Sequence, residues 1–267
     1  MRPPFSAGKF RAALATRRLG RGRVAVHETT ASTNDEAFAL AESAPAESAV
    51  VVAEFQSAGR GRFGRRFEAP PFSALLASVS IPGAPLSAAL LSAAAAVAAA
   101  EALERAGVGA GIKWPNDLLA SGRKIAGLLL EARDLKPESP LVVLGYGLNV
   151  AQSEEELPAG VRATSIRIET GAVPRRENLL AAFLLALERR VEEVATGDAA
   201  GLLSAYRRRN LLLGRRVAVL DRGREIAGSV VDLSPETGLV LGADSGDTLR
   251  LAAEHVTIAR IEGFEGA

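Results

Sequence analysis

Short apolar runs alternate with longer helical stretches along most of the chain. The runs AVVVAEF at 49–55 and SALLASVSI at 73–81 have the length of buried strands. The alanine-rich stretch at 85–107 is long enough for a buried helix, which we expect to begin near Ser87 and end at Gly107. Further helices are predicted after Ser32, at 177–195 and at 199–209, and further strands near 111–114 and at 124–132 and 141–150.

The pattern changes after Leu213, where short alternating strands are separated by turns rich in glycine, proline and aspartate. This pattern predicts a small β-barrel, so we divide the chain into two domains, at 1–211 and 212–267. Residues 213–262 contain His255 but no Trp or Tyr. An aromatic groove for peptide binding is therefore not expected in the second domain.

The composition excludes several classes of protein. Thirty-two basic and 31 acidic residues give a net charge of +1, which argues against a chain-wide role on nucleic acid or membrane surfaces. The chain has no cysteine, which excludes disulfides, thiolate metal sites and cysteine nucleophiles and favours the cytoplasm. The N-terminus has no signal-peptide core, and the apolar run at 88–100 is too short to span a membrane.

The stretch QSAGRGRFGRR at 56–66 combines Gly59, Gly61 and Gly64 with four arginines. A dinucleotide-binding fingerprint would continue into a helix, whereas two prolines and a strand-like run follow here. A nucleic-acid arm would need a wider basic surface. A solvated hairpin stays open as an interpretation, although three glycines disfavour it. The remaining interpretation is a flexible loop that binds a carboxylate or phosphate.

A second candidate site lies in IKWPNDLL at 112–119 and RKIAG at 123–127. Only four lysines occur in the chain, and two of them, Lys113 and Lys124, are in this stretch. With Asn116 and Asp117 they place two ammonium groups, an amide and a carboxylate around two tight turns. A packed turn explains Trp114 but does not explain this collection of polar groups.

Taken together, STN at 32–34, Q-x-x-G-R-G-R-x-G-R at 56–65, KWPNDL, K-I-A-G-L-L-x-E and G-Y-G-L-N at 145–149 resemble the biotin–protein ligase family in order and spacing. The resemblance covers roughly residues 27–262. It implies an α/β (α+β) fold, with a mixed central sheet and helices in the catalytic domain, followed by a small SH3-like β-barrel. Only 31 residues precede Ser32, so we expect the form without the helix-turn-helix repressor domain.

The reaction implied by the resemblance has two steps. Biotin and ATP, with Mg²⁺, give biotinyl-5′-AMP, and the biotinyl group then passes to a lysine of an acceptor protein. Lys124, Arg60 and Arg62 are implied as the catalytic residues, since cations must neutralise two reacting anions and a closed loop must exclude water. The implied acceptor is a biotin carboxyl carrier domain of a biotin-dependent carboxylase. No DNA or membrane partner is expected, and homodimerisation is left open.

The resemblance also assigns binding residues. Biotin is implied to contact Ser32, Thr33, Asn34, Gln56, Gly59, Arg60, Gly61, Arg62, Lys124, Gly127 and Gly145, with Leu128 and Leu129 along its valeryl chain. ATP is implied to contact Arg62, Arg65, Phe67, Lys113, Asn116, Lys124 and Asn149, and Mg²⁺ is assigned to Asp117 through water. Phe67 departs from the tryptophan that family members often carry, which affects the expected ATP affinity.

Two alternative functions remain. A lipoate- or octanoate-handling ligase or transferase on a related fold would use the same acyl chemistry. A non-enzymatic protein that binds nucleic acid through the arginine loop would show steep salt dependence and would have no use for Lys124.

Overall fold

The computed structural model describes residues 2–83, 86–133 and 141–264, which form two β-sheets and six α-helices. The strands of the first sheet are β1 (Val24–Thr30), β2 (Val50–Gln56), β3 (Ala74–Ile81), β4 (Ala110–Lys113), β5 (Asp117–Ala120), β6 (Arg123–Arg133) and β7 (Leu141–Asn149). The helices are α1 (Ala7–Ala13), α2 (Thr33–Glu42), α3 (Ala88–Arg105), α4 (Ile166–Thr170), α5 (Arg176–Ala195) and α6 (Ala199–Arg209).

The first sheet has the order β1-β2-β3-β7-β6-β5-β4. Strands β1 and β2 are parallel and the other neighbours are antiparallel, so the sheet is mixed, as predicted. Its register aligns Ser78 of β3 with Gly145 of β7 and Leu129 of β6. Two residues further along each strand, Gly127 of β6 pairs with Gly147 of β7. Because side chains alternate between faces, these five positions share one face of the sheet.

Helices cover both faces of this sheet. On one face α2 packs through Phe38 against Val51 and Val143. On the other face Val50 and Val52 join the main core with α3 and α5. Strands that are buried on both faces have continuous apolar sequences, which is why β2 and β3 could be predicted from their runs.

Most of the predicted elements are present. Helix α3 begins after Ser87, whose hydroxyl accepts from the Leu90 N–H at 3.3 Å, in agreement with the predicted start. Four elements were not predicted: α1, β1, α4 and β5. Helices α1 and α4 have only seven and five residues, and β5 has four, too few for a period to emerge. Strand β1 reads VAVHETT and lies at the edge of the sheet. Its polar residues interrupt the apolar run, so the sequence does not predict it as a strand.

The second sheet comprises β8 (Arg216–Asp221), β9 (Arg224–Ser234), β10 (Gly238–Ala243), β11 (Thr248–Leu251) and β12 (Val256–Ile261). It is antiparallel with the order β11-β10-β9-β8-β12. The short alternating strands are therefore confirmed. The SH3-like barrel and the boundary at 211/212 stay predictions.

A buried ion pair joins the N-terminal segment to the sheet. Arg176 at the start of α5 donates to both carboxylate oxygens of Glu54 on β2, at 2.5 and 3.1 Å, and also to the carbonyl of Pro3. The same carboxylate accepts from the Phe5 N–H at 2.5 Å. The side chains of Arg176 and Glu54 are only 7% and 3% exposed. Residues 3–5 are thus fixed against the first sheet by one buried charge cluster.

Candidate active site

A cavity of about 560 Å³ lies over β3, β6 and β7, between the glycine–arginine loop and the turn after Lys113. One of its walls is formed by Val256, Thr257 and Ile258 of β12 in the second sheet. Fifteen of the predicted site residues line it: Ser32, Thr33, Asn34, Gln56, Arg60, Gly61, Arg62, Arg65, Phe67, Lys113, Asn116, Asp117, Lys124, Gly127 and Gly145. Leu128 and Leu129 also line it.

Two predicted site residues, Asn149 and Gly59, do not line the cavity. The Asn149 amide donates to the Thr164 carbonyl at 3.0 Å and accepts from Gln152 at 2.9 Å, so both of its ends already have partners within the protein. A Cβ at Gly59 would lie 2.6 Å from the Phe67 carbonyl oxygen. Gly59 therefore allows the two ends of the loop to approach, and this geometry gives no support to a direct contact with a ligand.

The loop folds back on itself as a hairpin. Arg60 and Arg66 form a bridge, and the Gly61 N–H donates to the Arg65 carbonyl at 2.7 Å. At its tip Phe63 and Gly64 have φ of 57° and 70°, in the left-handed region that glycine tolerates and phenylalanine rarely adopts. No helix follows the third glycine, and the chain continues into β3. The dinucleotide-binding interpretation therefore fails on topology.

Arg60 is held by two carboxylates outside the loop. Its guanidinium donates to both oxygens of Asp35, at 2.6 and 2.7 Å, and lies 3.3 Å from Glu131. The hydrogen bonds with Asp35 are the main cause that raises the pKa of Arg60 and lowers the pKa of Asp35. Arg60 was expected to contact the substrate carboxylate and phosphate, but here it fixes the loop to α2 and β6. It would have to leave these partners before it could bind a substrate anion.

Arg62 connects the loop to the segment just before β12 of the second sheet. Its guanidinium donates to the carbonyl of Ala253 and lies 4.7 Å from the centroid of the Phe63 ring. Burial lowers the pKa of Arg62, and nearby Asp117 and Glu254 oppose this shift. The loop is thus in contact with residues just before β12, the strand that also lines the cavity.

Lys124 forms an ion pair with Asp117 inside the cavity, with 2.7 Å between Nζ and Oδ1. The pair lies against Gly127, where an added Cβ would be 3.3 Å from Asp117 Oδ1 and from Lys124 Nζ. Glycine at this position leaves room for the two charged groups. Nearby, the Asn116 side chain donates to the Leu128 carbonyl, so it holds the KWPND turn against β6.

The cavity lining is strongly cationic. Among the described residues that line it, Asp117 is the only carboxylate, whereas seven are cations: Arg60, Arg62, Arg65, Arg66, Lys113, Lys124 and Arg162. Burial is the main cause that lowers the pKa of Lys113, and Lys124 adds to the shift. In the described residues, no group of three or more His, Asp or Glu side chains could hold a metal ion by itself. The site is therefore suited to a ligand with several negative charges.

A neutral polar cluster lies beside the cations. The Gln56 amide oxygen accepts from the Thr33 N–H at 2.7 Å and lies 3.0 Å from the Thr33 hydroxyl. Asn34 approaches β7 so closely that a Cβ at Gly145 would lie 2.5 Å from its amide oxygen. Ser32 precedes α2 as its N-cap, yet its side chain makes no capping hydrogen bond. Among the described residues its hydroxyl has no capping partner, which leaves it available to a ligand in the cavity.

Several lining residues were not found from the sequence. Arg162 and Val161 come from the segment after β7, which runs beside Lys124: the Lys124 N–H donates to the Arg162 carbonyl and the Thr164 N–H donates to the Lys124 carbonyl, both at 2.8 Å. Phe63, Arg66 and Gly147 lie within or beside stretches that were already singled out as motifs. The contributions of 160–162 and 256–258 depend on long-range packing, and no local signal marks them.

A model of the biotin/lipoate A/B protein ligase family matches residues 26–149. The chain is 34% identical over 269 residues to a biotin–[acetyl-CoA-carboxylase] ligase from Mycobacterium tuberculosis, covering 97% of this chain and 98% of the relative. A protein of the same name from Paracoccus denitrificans is 34% identical over 235 residues, covering 84% of this chain and 96% of the relative. A solved biotin protein ligase from Aquifex aeolicus, in complex with biotin and ATP, has a TM-score of 0.76 at 24% identity and covers 89% of this chain and 99% of that one.

The chain belongs to the biotin/lipoate A/B protein ligase family. Within it, the chain groups with the biotin–protein ligases, as the five motifs predicted. The structural similarity to the Aquifex aeolicus protein confirms the mixed α/β fold with its second antiparallel sheet. No helix in the described ranges has both the length and the apolar character needed to cross a membrane.

Proposed function

We propose that this protein activates biotin with ATP to biotinyl-5′-AMP and transfers the biotinyl group to a lysine of a carrier protein. One observation carries the proposal: a single cavity joins a neutral polar end at Thr33 and Gln56 to a cationic end at Lys113 and Lys124. Biotin has a polar ring at one end and a carboxylate at the other. The first end suits the ring, and the second suits the carboxylate next to a triphosphate.

In the first step, a biotin carboxylate oxygen attacks the α-phosphorus of ATP, and the bond from that phosphorus to the pyrophosphate oxygen breaks. Both reactants are anions, so cations must offset their repulsion and stabilise the charge of the transition state. We assign this role to Lys124 between the carboxylate and the α-phosphate, with Arg62 and Arg65 from the loop and Lys113 at the phosphates. Arg60 would join them only after leaving Asp35 and Glu131.

In the second step, the neutral amine of the acceptor lysine attacks the acyl carbon, the bond from that carbon to the AMP oxygen breaks, and the amine loses a proton. The intermediate must be kept from water between the steps, because an acyl adenylate hydrolyses. The glycine–arginine loop lines the cavity and reaches Ala253 through Arg62, which supports a role for it in excluding water.

Mg²⁺ is the cation that a triphosphate site ordinarily uses. It is commonly bound by one or two carboxylates together with substrate phosphates and water. Asp117, the carboxylate in the cavity lining, fits this pattern. When bound, the ion would neutralise phosphate charge, and Asp117 would give up part of its contact with Lys124.

The acceptor and the setting are also proposals. Relatives of this chain are named for acetyl-CoA carboxylase, which favours a biotin carboxyl carrier domain of a biotin-dependent carboxylase as the acceptor. A cytoplasmic location and the lack of a DNA partner remain predictions, and homodimerisation remains open. Phe67 is proposed to cover the adenine with its ring face.

Exchange of labelled pyrophosphate into ATP tests the first step directly. We expect biotin-dependent exchange by the wild type and about a thousandfold loss in Lys124→Ala, comparable to losing a strong electrostatic contact in other active sites. Lys9→Ala is the matched control, because Lys9 is an exposed lysine of α1 far from the cavity in sequence. Exchange that depends on lipoate or octanoate instead of biotin would contradict the proposal, as would biotin-dependent exchange that survives in Lys124→Ala.

A further inference from the structure

The backbone of Lys124, the lysine to which we assign the central role in the first step, is held by a second segment of the chain. The Lys124 N–H donates to the Arg162 carbonyl, and the Lys124 carbonyl accepts from the Thr164 N–H, both at 2.8 Å. Lys124 and Ala163 thus form a parallel bridge outside the two sheets. The placement of the Lys124 side chain in the cavity therefore depends on the segment that contains Thr164.

One carboxylate joins this segment to the turn that precedes Lys124. Glu169 of α4 accepts from the Thr164 hydroxyl at 2.5 Å and from the Ser121 hydroxyl at 2.7 Å. Arg123, the residue before Lys124 in β6, donates to the same carboxylate at 3.0 Å. Glu169 therefore binds both the turn from which β6 begins and the segment that pairs with Lys124.

The turn between β5 and β6 contains a residue that needs this support. Ser121 and Gly122 have φ of 49° and 72°, as a two-residue turn between antiparallel strands requires. Glycine adopts this left-handed region readily, whereas serine does so at a cost. The hydrogen bond from Ser121 to Glu169 stabilises this conformation and so fixes the start of β6.

The surroundings of Glu169 keep it ionised. Its side chain is 12% exposed, and burial alone would raise its pKa. Hydrogen bonds from Thr164, Ser121 and Arg123 nevertheless lower the pKa of this carboxyl below its usual value. The described residues that line the cavity include Lys124 but not Glu169. Glu169 is thus a charged group with three donors that lies outside the ligand cavity and behind its lysine.

We propose that Glu169 is a positioning residue that holds the Lys124 ammonium at the reacting groups, acting through the turn at Ser121 and the segment at Thr164. This rests on the proposed function, in which Lys124 stabilises the transition state of adenylate formation. Glu169 itself touches no substrate. Electrostatic stabilisation depends on preorganised geometry, so a shift of Lys124 by about 1 Å would remove much of its effect.

The first test measures pyrophosphate exchange in Glu169→Ala. We expect the rate at saturation to fall about tenfold, with less than a twofold change in the KM for biotin and for ATP, because no ligand contact is removed. Glu154→Ala is the matched control. Glu154 also pairs with Arg123, at 2.7 Å, but its side chain is 58% exposed and has no hydrogen bond to Ser121 or Thr164. A Glu154→Ala protein as slow as Glu169→Ala would overturn the proposal.

A second comparison separates positioning from general loosening of the structure. In a Lys124→Ala background no ammonium remains to be positioned, so adding Glu169→Ala should change the residual exchange rate by less than about twofold. The residual rate is followed at raised enzyme concentration. A structural role alone would lower the rate by the same factor in both backgrounds, and that result would overturn the proposal.

Variants of Thr164 test the same link even if Glu169→Ala does not fold. Thr164→Val removes one donor to Glu169 and keeps the shape of the side chain, so exchange should fall about threefold in the wild type and stay unchanged in the Lys124→Ala background. Thr164→Ser keeps the hydroxyl and should retain the wild-type rate. A Thr164→Ser protein as slow as Thr164→Val would overturn the assignment. Wild-type exchange that depends on lipoate or octanoate would instead disprove the proposed function, and the paired backgrounds would still decide the role of Glu169.

Discussion

The ring of Phe67 lies against Gly147, in the space where any other residue would place its Cβ. An added Cβ would be 2.9 Å from both Cε2 and Cζ of the ring. Gly147 is paired with Gly127 across β6 and β7, so two neighbouring positions on this face carry no side chain. The glycines of GYGLN therefore have separate tasks: Gly145 admits Asn34, and Gly147 admits the ring that we propose to cover adenine.

Gly147→Ala should weaken ATP binding more than biotin binding. The added methyl group must displace the Phe67 ring, which lies toward the proposed nucleotide end, whereas biotin is proposed to sit at the polar end. We expect the KM for ATP to rise about tenfold, the loss of roughly one aromatic contact, with less than a twofold change in the KM for biotin. Gly109→Ala is the control, because no atom lies within 4 Å of an added Cβ there. Equal changes in both KM values would contradict this assignment.

Asp117→Asn should raise the Mg²⁺ concentration needed for activity. The amide keeps the size of the side chain but removes the charge that would bind the ion and that now faces Lys124 at 2.7 Å. We expect the half-saturating Mg²⁺ concentration in pyrophosphate exchange to rise severalfold at saturating ATP. Asp232→Asn is the control, since this aspartate lies outside the cavity and pairs with Arg207 at the surface. An unchanged Mg²⁺ dependence would remove Asp117 from the metal site.

The sequence predicted most of the helices and strands and grouped residues that line one cavity. It did not predict the contacts between these elements. Runs such as AVVVAEF reveal their strands because they are buried on both faces, and Ser87 marks the start of α3 by its cap. Fifteen of the residues that the motifs assigned to the site line the cavity, and so do Leu128 and Leu129. Arg60 shows the limit: its local sequence gives no sign that the fold brings Asp35 and Glu131 to it from α2 and β6. Residues 160–162 and 256–258 have no sequence signal, because they reach the cavity only through long-range packing.

Breaking the buried pair of Arg176 and Glu54 should lower stability strongly. Arg176→Met would leave the Glu54 carboxylate, which is 3% exposed, with only the Phe5 N–H as a described partner. An uncompensated buried charge costs about 3–5 kcal/mol, and we expect the free energy of unfolding to fall by that amount in urea titrations. Arg207→Met is the control, because its pair with Asp232 is nearly half exposed and should contribute about 0–1 kcal/mol. Similar losses in the two variants would show that burial does not set the strength of these pairs.

As pH rises, the affinity for ATP should begin to fall at a lower pH than the one at which a solvated lysine loses its proton. Burial lowers the pKa of Lys113 below its usual 10.5, so its ammonium group loses its proton at a lower pH than a solvated lysine does. Only the protonated form attracts phosphate, so the KM for ATP should be lowest below the shifted pKa and should rise as pH passes through it. In Lys113→Arg the charge is retained over this range, so the rise should disappear. KM measured between about pH 7 and 10.5 in both proteins checks this, with parallel profiles contradicting a role for Lys113 at the phosphates.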